Sequence, residues 1–278
     1  MSLEWIAASE VAHVPSSPAR EPPMSAPPAP PPPAPPPPPP APRYAPYRED
    51  CPWCGSLRLR PRPRGGHPRP RPAALATCRD CRHVFGNPPP AAVPEGAGSP
   101  PAAAVVRLRH RLAARALLRR CPEPESWLDV DTADACFPHA ARRLFPYTSF
   151  DGLDTTARVL RARARDRVEE AYVGRPADPY LAARLRARYD VVSLFHLHRA
   201  PDPRAELRAA LRLLRPGGHL LVDVVDPRAL LAQPPGPRAT ARLRTELTAQ
   251  GCTLLGAGGG HRIVARTPVP PPWRRSAP

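Results

Sequence analysis

Seven cysteines and a few strand-end aspartates are the residues in this chain best suited to chemistry, and four of the cysteines come in pairs. The pairs read CPWCGS from Cys51 and CRDCRHVFGNP from Cys78, with 23 residues between Cys54 and Cys78. Two such knuckles can place the thiolates of Cys51, Cys54, Cys78 and Cys81 tetrahedrally around one Zn2+, the geometry of a zinc ribbon. Neither pair opens a helix after a strand, which argues against a redox dithiol. Gly55 follows the first knuckle, where a tight turn lets backbone amides point at sulfur. Arg82 stands at the matching place in the second knuckle, where the same turn is less comfortable. His67 and His83 are spare donors that a four-thiolate shell does not need. The alternative reading is four cysteines that no longer bind metal. Cys121, Cys136 and Cys252 are isolated, so the set is not a disulfide framework and fits a reducing cytoplasm.

The second constellation runs from Ser126 to Asp154. A short apolar strand over 127–130 leads into a turn and an Ala-rich helix over 135–144. A second strand over 149–153 then ends on Asp154. Strand, turn, helix and acid-tipped strand open a nucleotide-type pocket in a doubly wound α/β sheet. The turn of such a unit is glycine-rich as a rule, and here it has no glycine. On its own residues, Asp154 also reads as an N-cap for a helix starting at Thr155.

The elements that position these residues follow from the hydropathy pattern. Residues 102–120 carry Val105, Leu108, Leu112 and Ala116 at helical spacing, and the helix ends at Cys121-Pro122. Downstream, strands are expected over 127–130, 149–153, 168–173, 189–195 and 219–225. Helices are expected over 135–144, 155–165, 180–188, 203–214 and 240–249. The 203–214 helix stops at Arg215-Pro216-Gly217-Gly218, and residues 253–255 and 262–265 form a glycine-joined hairpin. This alternation predicts a largely parallel sheet covered by helices.

Most of the 48 prolines lie before residue 105 or after Val264. About 160 residues remain between, enough for one α/β domain. Five regions result: a disordered Pro/Ala-rich stretch over 1–46, a ribbon over 47–88, a linker over 89–101, the α/β domain over 102–267, and a disordered tail over 268–278. The proline tract from Ser16 to Pro46 favours polyproline II and acts as a spacer; a ligand for a proline-binding domain is the alternative. Met24 is an alternative start. The insert between the knuckles, RLRPRPRGGHPRPRPAA, is hardly strand-like.

The formal charge is +17, and all 41 basic residues are arginine. The arginines fall at spacings that suit exposed helix faces, so a solvated surface explains them. A nucleic-acid patch, or a basic face for an acidic substrate, is the alternative. No run of 18 apolar residues exists, so no membrane span is indicated. The start, MSLEWIAASEVAHV, lacks the basic beginning and long apolar core of a secretory signal.

Several motifs taken together resemble class I S-adenosylmethionine-dependent methyltransferases: YDVVSLFH at 189–196, DPRAEL at 202–207, LRPGGHLLVDVVDP at 214–227 and FDGLD at 150–154. The knuckles ahead of them look like the ribbon that precedes such a domain in one bacterial group of these enzymes. The resemblance implies a Rossmann-like methyltransferase sheet behind a small zinc ribbon, with S-adenosyl-L-methionine and a structural zinc as cofactors. It implies methyl transfer to a small-molecule or sugar-type acceptor. The alternative is an inactive descendant, a binding or scaffold protein with a vestigial pocket. Acceptor and oligomeric state are not fixed by the resemblance, and no catalytic residue is assigned.

In that family the first turn reads acid–x–Gly–x–Gly–x–Gly. The acid matches Asp129, and the glycines would fall at Asp131, Ala133 and Ala135. If the misfit costs roughly 2–4 kcal/mol, cofactor affinity falls about 30- to 1,000-fold. Asp154 stands where the family's acid accepts both ribose hydroxyls, with Thr155 beside it. Asp129 is either the cofactor-facing acid or a strand-end residue. Phe195 and His196 stand where the family lines the adenine and methyl-donor face. His196 begins the family's His–x–Leu–Glu–His stretch, from which Leu197, His198, Arg199 and Ala200 depart. The stretch 226–240, often a longer insertion over substrate in such enzymes, is short and proline-rich.

Overall fold

The computed structural model describes residues 46–62, 74–88, 100–197, 200–223, 240–258 and 262–269. The proline tract, most of the arginine-rich insert, the linker over 89–99, the stretch 224–239 and the tail from 270 lie outside the described residues. So do His67, His198 and Arg199. Residues 42–278 belong to one compact unit, so the cysteine-bearing module is not detached from the larger α/β module.

The smaller sheet is antiparallel in the order β1-β2-β3, formed by β1 (Leu59–Arg62), β2 (Ala74–Cys78) and β3 (Val84–Asn87). The insert is therefore more strand-like than its composition suggests, since Leu59 to Arg62 pair in register with Cys78 to Leu75. Pro61 is tolerated because β1 is an edge strand, where a missing N–H breaks no ladder.

The larger sheet has seven strands in the order β6-β5-β4-β7-β8-β10-β9. These are β4 (Ser126–Val130), β5 (Ser149–Asp154), β6 (Ala171–Val173), β7 (Tyr189–Leu194), β8 (Leu214–Asp223), β9 (Thr253–Gly258) and β10 (Arg262–Arg266). The first five are mutually parallel, and β10 runs antiparallel to both β8 and β9. The helices are α1 (Pro100–Leu118), α2 (Cys136–Ala141), α3 (Arg158–Arg163), α4 (Pro179–Arg184), α5 (Pro203–Leu213) and α6 (Ala241–Ala249). β4, first of the parallel strands in sequence, lies between β5 and β7, so the strand order reverses there. Ligands of doubly wound sheets bind at such a reversal, beyond the carboxyl ends of the strands.

Element types agree with the sequence pattern, and the boundaries differ for local reasons. α2 is six residues against the expected ten, with Pro138 in its first turn. α4 starts on Pro179 because Asp178 caps it, accepting from the amides of Tyr180 and Leu181. The Pro-Gly-Gly stop after α5 is taken into the start of β8, where Gly217 has a φ of +78°. A Cβ on Gly218 would lie 2.9 Å from the Arg215 carbonyl oxygen, so glycine lets the chain pass close there.

The core on the α1–α2 side is aromatic. Trp127 is fully buried, with Phe137, Phe145 and Phe150 ring centres 5.2–5.3 Å away. Its indole N–H donates to Ser193 Oγ at 3.0 Å, so one side chain both fills the core and ties β4 to β7. α1 is anchored to the far half of the sheet by charge. Arg109 donates from Nε to Asp223 Oδ2 at 2.9 Å, and Arg262 donates to the same oxygen at 3.2 Å. No helix among the described residues is long and apolar enough to cross a membrane. Replacing Trp127 with Ala removes a core side chain and a buried hydrogen bond, so it is expected to lower unfolding free energy by about 3–5 kcal/mol. Urea melts check this; a loss under about 1 kcal/mol would contradict the packing described.

Candidate functional site

The turn between β4 and α2 has an unusual backbone. Asp131, Ala133 and Ala135 take φ values of 55°, 49° and 52°, all left-handed and none on glycine. L-residues pay roughly 1–2 kcal/mol each for that conformation. The positions are those at which the methyltransferase pattern has glycine, so the turn keeps the glycine backbone without the glycines. Protein groups hold the turn in this conformation, with the Ala133 amide on Asp154 and the Thr132 hydroxyl on Asp129, so the strain lowers the stability of the fold.

Two carboxylates hold the turn. Asp154 Oδ2 accepts the amide of Ala133 at 2.8 Å, while its Oδ1 accepts the amide and hydroxyl of Thr156 at 2.8 and 2.6 Å. Asp154 is thus no N-cap: α3 begins only at Arg158, after an Asx-type turn that uses up residues 154–157. Asp129 Oδ1 accepts from Ser193 Oγ at 2.6 Å and its Oδ2 accepts from Thr132 Oγ1 at 2.8 Å. Gly152, level with Asp129 on β5, makes room for the turn, since a Cβ there would lie 2.8 Å from Thr132 Cγ2. Burial pushes the Asp129 carboxyl up to about 7; the Ser193 and Thr132 hydrogen bonds oppose this, and the nearby Asp131 and Asp154 charges add to it. Asp129 is enclosed by protein groups, which matches a strand-end tie better than a ligand-facing acid.

The other expected positions divide. Asp131, Ala133, Asp154 and Thr155 lie together around the turn, with Thr155 exposed beside the buried Asp154. Phe195 is buried against Phe137 at 4.5 Å and His110 at 5.1 Å, so its ring belongs to the aromatic core. His196 follows β7 and is half-buried. Between Val130, Asp131, Pro176, Leu194, Leu197 and Glu206 lies a cleft of about 10 Å3, room for roughly one water. Three polar partners were not singled out in the sequence: Thr132, Thr156 and Ser193. Thr156 was within reach, because an Asp followed two residues later by Thr favours a local turn bond. Ser193, the polar residue inside the apolar run YDVVSLF, was the signal for a buried partner on β4.

The four paired cysteines come together in the smaller module. The Cys51 and Cys81 sulfurs are 3.6 Å apart, those of Cys54 and Cys78 are 3.7 Å apart, and all four lie within 4.8 Å of one another. A disulfide is excluded at these distances. The two pairwise separations lie close to the edge of about 3.8 Å expected for a tetrahedron with metal–sulfur bonds of about 2.3 Å, so the set can hold one metal ion. The two knuckles repeat one geometry: the Gly55 amide donates to the Cys51 carbonyl at 2.8 Å, and the Arg82 amide to the Cys78 carbonyl at 2.9 Å. Gly55 has φ +70° and Arg82 φ +59°, so the second knuckle carries the same turn under strain.

A family profile described as a methyltransferase domain matches residues 102–263. None of the curated proteins matches the chain. Among solved structures, an O-methyltransferase family protein from Burkholderia thailandensis is similar at 19% identity and a TM-score of 0.42, over 60% of this chain and 58% of that one. The chain thus spans less than two thirds of that protein's length. The N-methyltransferase NodS from Bradyrhizobium japonicum is similar at 16% identity and a TM-score of 0.43, over 59% of this chain and 97% of its own. The 1,6-didemethyltoxoflavin-N1-methyltransferase of Burkholderia thailandensis, solved with 1,6-didemethyltoxoflavin and S-adenosylhomocysteine, gives 18% and 0.44, over 73% and 98%. These values bear on neither donor nor acceptor in the present chain.

Asp129 generates a pH prediction. Its folded pKa, about 7, lies above the unfolded value of about 3.9, so between those limits the native state holds a proton that the unfolded chain has lost. Its contribution is greatest below pH 4 and is lost as pH rises towards 7. Thermal melts of Asp129→Asn are expected to lack that part of the slope seen in the wild type. Identical slopes would contradict the raised pKa.

Proposed function

The chain belongs to the methyltransferase domain family of S-adenosylmethionine-dependent transferases, and on that premise we propose that its β4–α2 turn and Asp154 bind S-adenosylmethionine for methyl transfer to a small-molecule acceptor. The observation that carries this reading is the left-handed backbone at 131, 133 and 135, next to a buried carboxylate at the end of β5. Asp154 Oδ2 has one protein donor among the described residues, leaving acceptor capacity for a ribose hydroxyl. Asp131 and Thr155 flank the turn, and His196 lies on the segment after β7. When bound, the donor supplies an activated methyl group. Direct displacement then asks the protein mainly for proximity, with a base only where the acceptor must lose a proton.

The cleft of about 10 Å3 is too small for the whole cofactor, so Pro176 and Leu197 must move apart to admit it. That opening lowers affinity, as does the Asp131 carboxylate beside a cofactor that carries its own. The same cleft favours a second reading, a folded family member whose pocket no longer binds.

The smaller module, in the same proposal, holds a structural zinc through Cys51, Cys54, Cys78 and Cys81, supported by their near-tetrahedral spacing. All seven cysteines are free, which fits a reducing compartment such as the cytoplasm.

Two measurements test these readings. Calorimetric titration with S-adenosylmethionine is expected to give a Kd of about 10 μM to 1 mM, weakened about tenfold or more by Asp154→Ala. No heat at about 5 mM ligand would favour the non-binding reading. Metal analysis of purified protein is expected to give about one zinc per chain, lost in Cys78→Ser with a lower melting temperature. Less than about half an equivalent in the wild type would sink the zinc assignment.

A further inference from the structure

Between the first cysteine knuckle and α5 lies a cleft of about 570 Å3. That is the size of an ordinary small-molecule site. Its basic groups come from both modules: Arg48 ahead of the knuckle, and Arg204, Arg208 and Arg212 on α5. The three α5 residues are four apart, so they share one helix face. Arg48 also ties the modules together, donating from Nη1 to the Pro201 carbonyl at 2.7 Å.

The acids around the cleft are already committed. Glu246 accepts from Arg204 Nε at 2.8 Å and from Arg208 Nε at 2.6 Å. This leaves the terminal Nη nitrogens of both arginines without a partner among the described residues. Asp202 caps α5 by accepting the Ala205 amide at 2.9 Å, and Asp50 accepts from Arg48 at 3.2 Å. The Arg212 guanidinium has no partner at all among the described residues. Forked guanidinium donors converging on a cavity match the paired oxygens of a phosphate, which accept bidentately.

We infer that this cleft binds a small ligand through a diphosphate group, with Arg204, Arg208 and Arg212 as its donors. Several guanidinium groups along one face suit two linked phosphates better than one carboxylate. A bounded cleft of this volume suits a small anion better than a polynucleotide, which needs a groove that tracks its backbone. The site is separate from the proposed donor pocket but adjoins it. Ala177, Pro201 and Ala205 line the one, while their sequence neighbours Pro176, Ala200 and Glu206 line the other. The inference holds whether or not the donor pocket binds S-adenosylmethionine. A loaded four-thiolate zinc carries two negative charges beside the arginines, so binding is expected to be modest.

The test is calorimetric titration of the zinc-loaded full chain with inorganic pyrophosphate at about 0.15 M salt, with an expected Kd of about 0.1–1 mM. Arg212→Ala is expected to weaken binding severalfold, and Arg212→Glu by tenfold or more. Arg212 has no side-chain partner among the described residues, so Arg212→Ala should leave the melting temperature nearly unchanged, and Arg212→Glu should lower it only slightly through the helix dipole. The exposed pair Arg119→Ala/Arg143→Ala, remote in the sequence from the lining residues, should leave binding unchanged. No heat at about 10 mM pyrophosphate, or equal loss in the Arg212 variants and the control pair, overturns the inference. So does a single-stranded oligonucleotide that binds more tightly than pyrophosphate, which would point to nucleic acid.

Discussion

The hydrogen bond from the Ala133 amide to Asp154, at 2.8 Å, anchors the middle of a turn that its own residues disfavour. Three left-handed non-glycine residues cost roughly 3–6 kcal/mol together, a large share of the 5–15 kcal/mol that stabilises a typical domain. Charge-assisted bonds contribute about 1.5–3 kcal/mol each, so a carboxylate with three donors offsets much of that cost. Asp129 closes the other side. Trp127 donates to Ser193, Ser193 donates to Asp129, and Thr132 in the turn donates to the same carboxyl. The aromatic core, the β4–β7 pairing and the turn are one connected structure.

The ribbon module repeats the theme on a smaller scale. Arg82 takes a left-handed backbone where the first knuckle has Gly55, and the four sulfurs still converge. In both places the tertiary frame keeps a geometry that the local residue would not choose. The cost of the substitutions falls on the stability of the fold.

The sheet was legible in the sequence because alternating apolar strands and amphipathic helices constrain topology strongly, and YDVV, FDGLD and the cysteine knuckles all fall where expected. Helix limits were less legible. They depend on which side chain captures which amide, and Asp154 accepts from Thr156 and Ala133 in place of capping α3. The strand character of Leu59–Arg62 was hidden by its arginines and proline and emerges only from pairing with β2. The turn at 131–135 could be located but not judged. Composition marked the glycines as missing, whereas the conformation depends on Asp129, Ser193 and Gly152, which are brought together by tertiary packing. Phe195 illustrates the same limit: its place after β7 suggested a ligand face, and its ring packs into the aromatic core.

The central claim is that protein contacts hold the left-handed backbone of the β4–α2 turn, so that its strain is a cost of folding. The most direct measurement compares Ala133→Gly/Ala135→Gly with the wild type for melting temperature and for S-adenosylmethionine affinity in the same preparations. Relief of two left-handed alanines, less about 0.5–1 kcal/mol each for glycine's greater chain entropy, is expected to raise stability by about 1–2 kcal/mol, with affinity changed less than about threefold. An unchanged melting temperature with affinity tightened tenfold or more would contradict the account, because it would mean that the turn reaches this backbone only when the ligand binds.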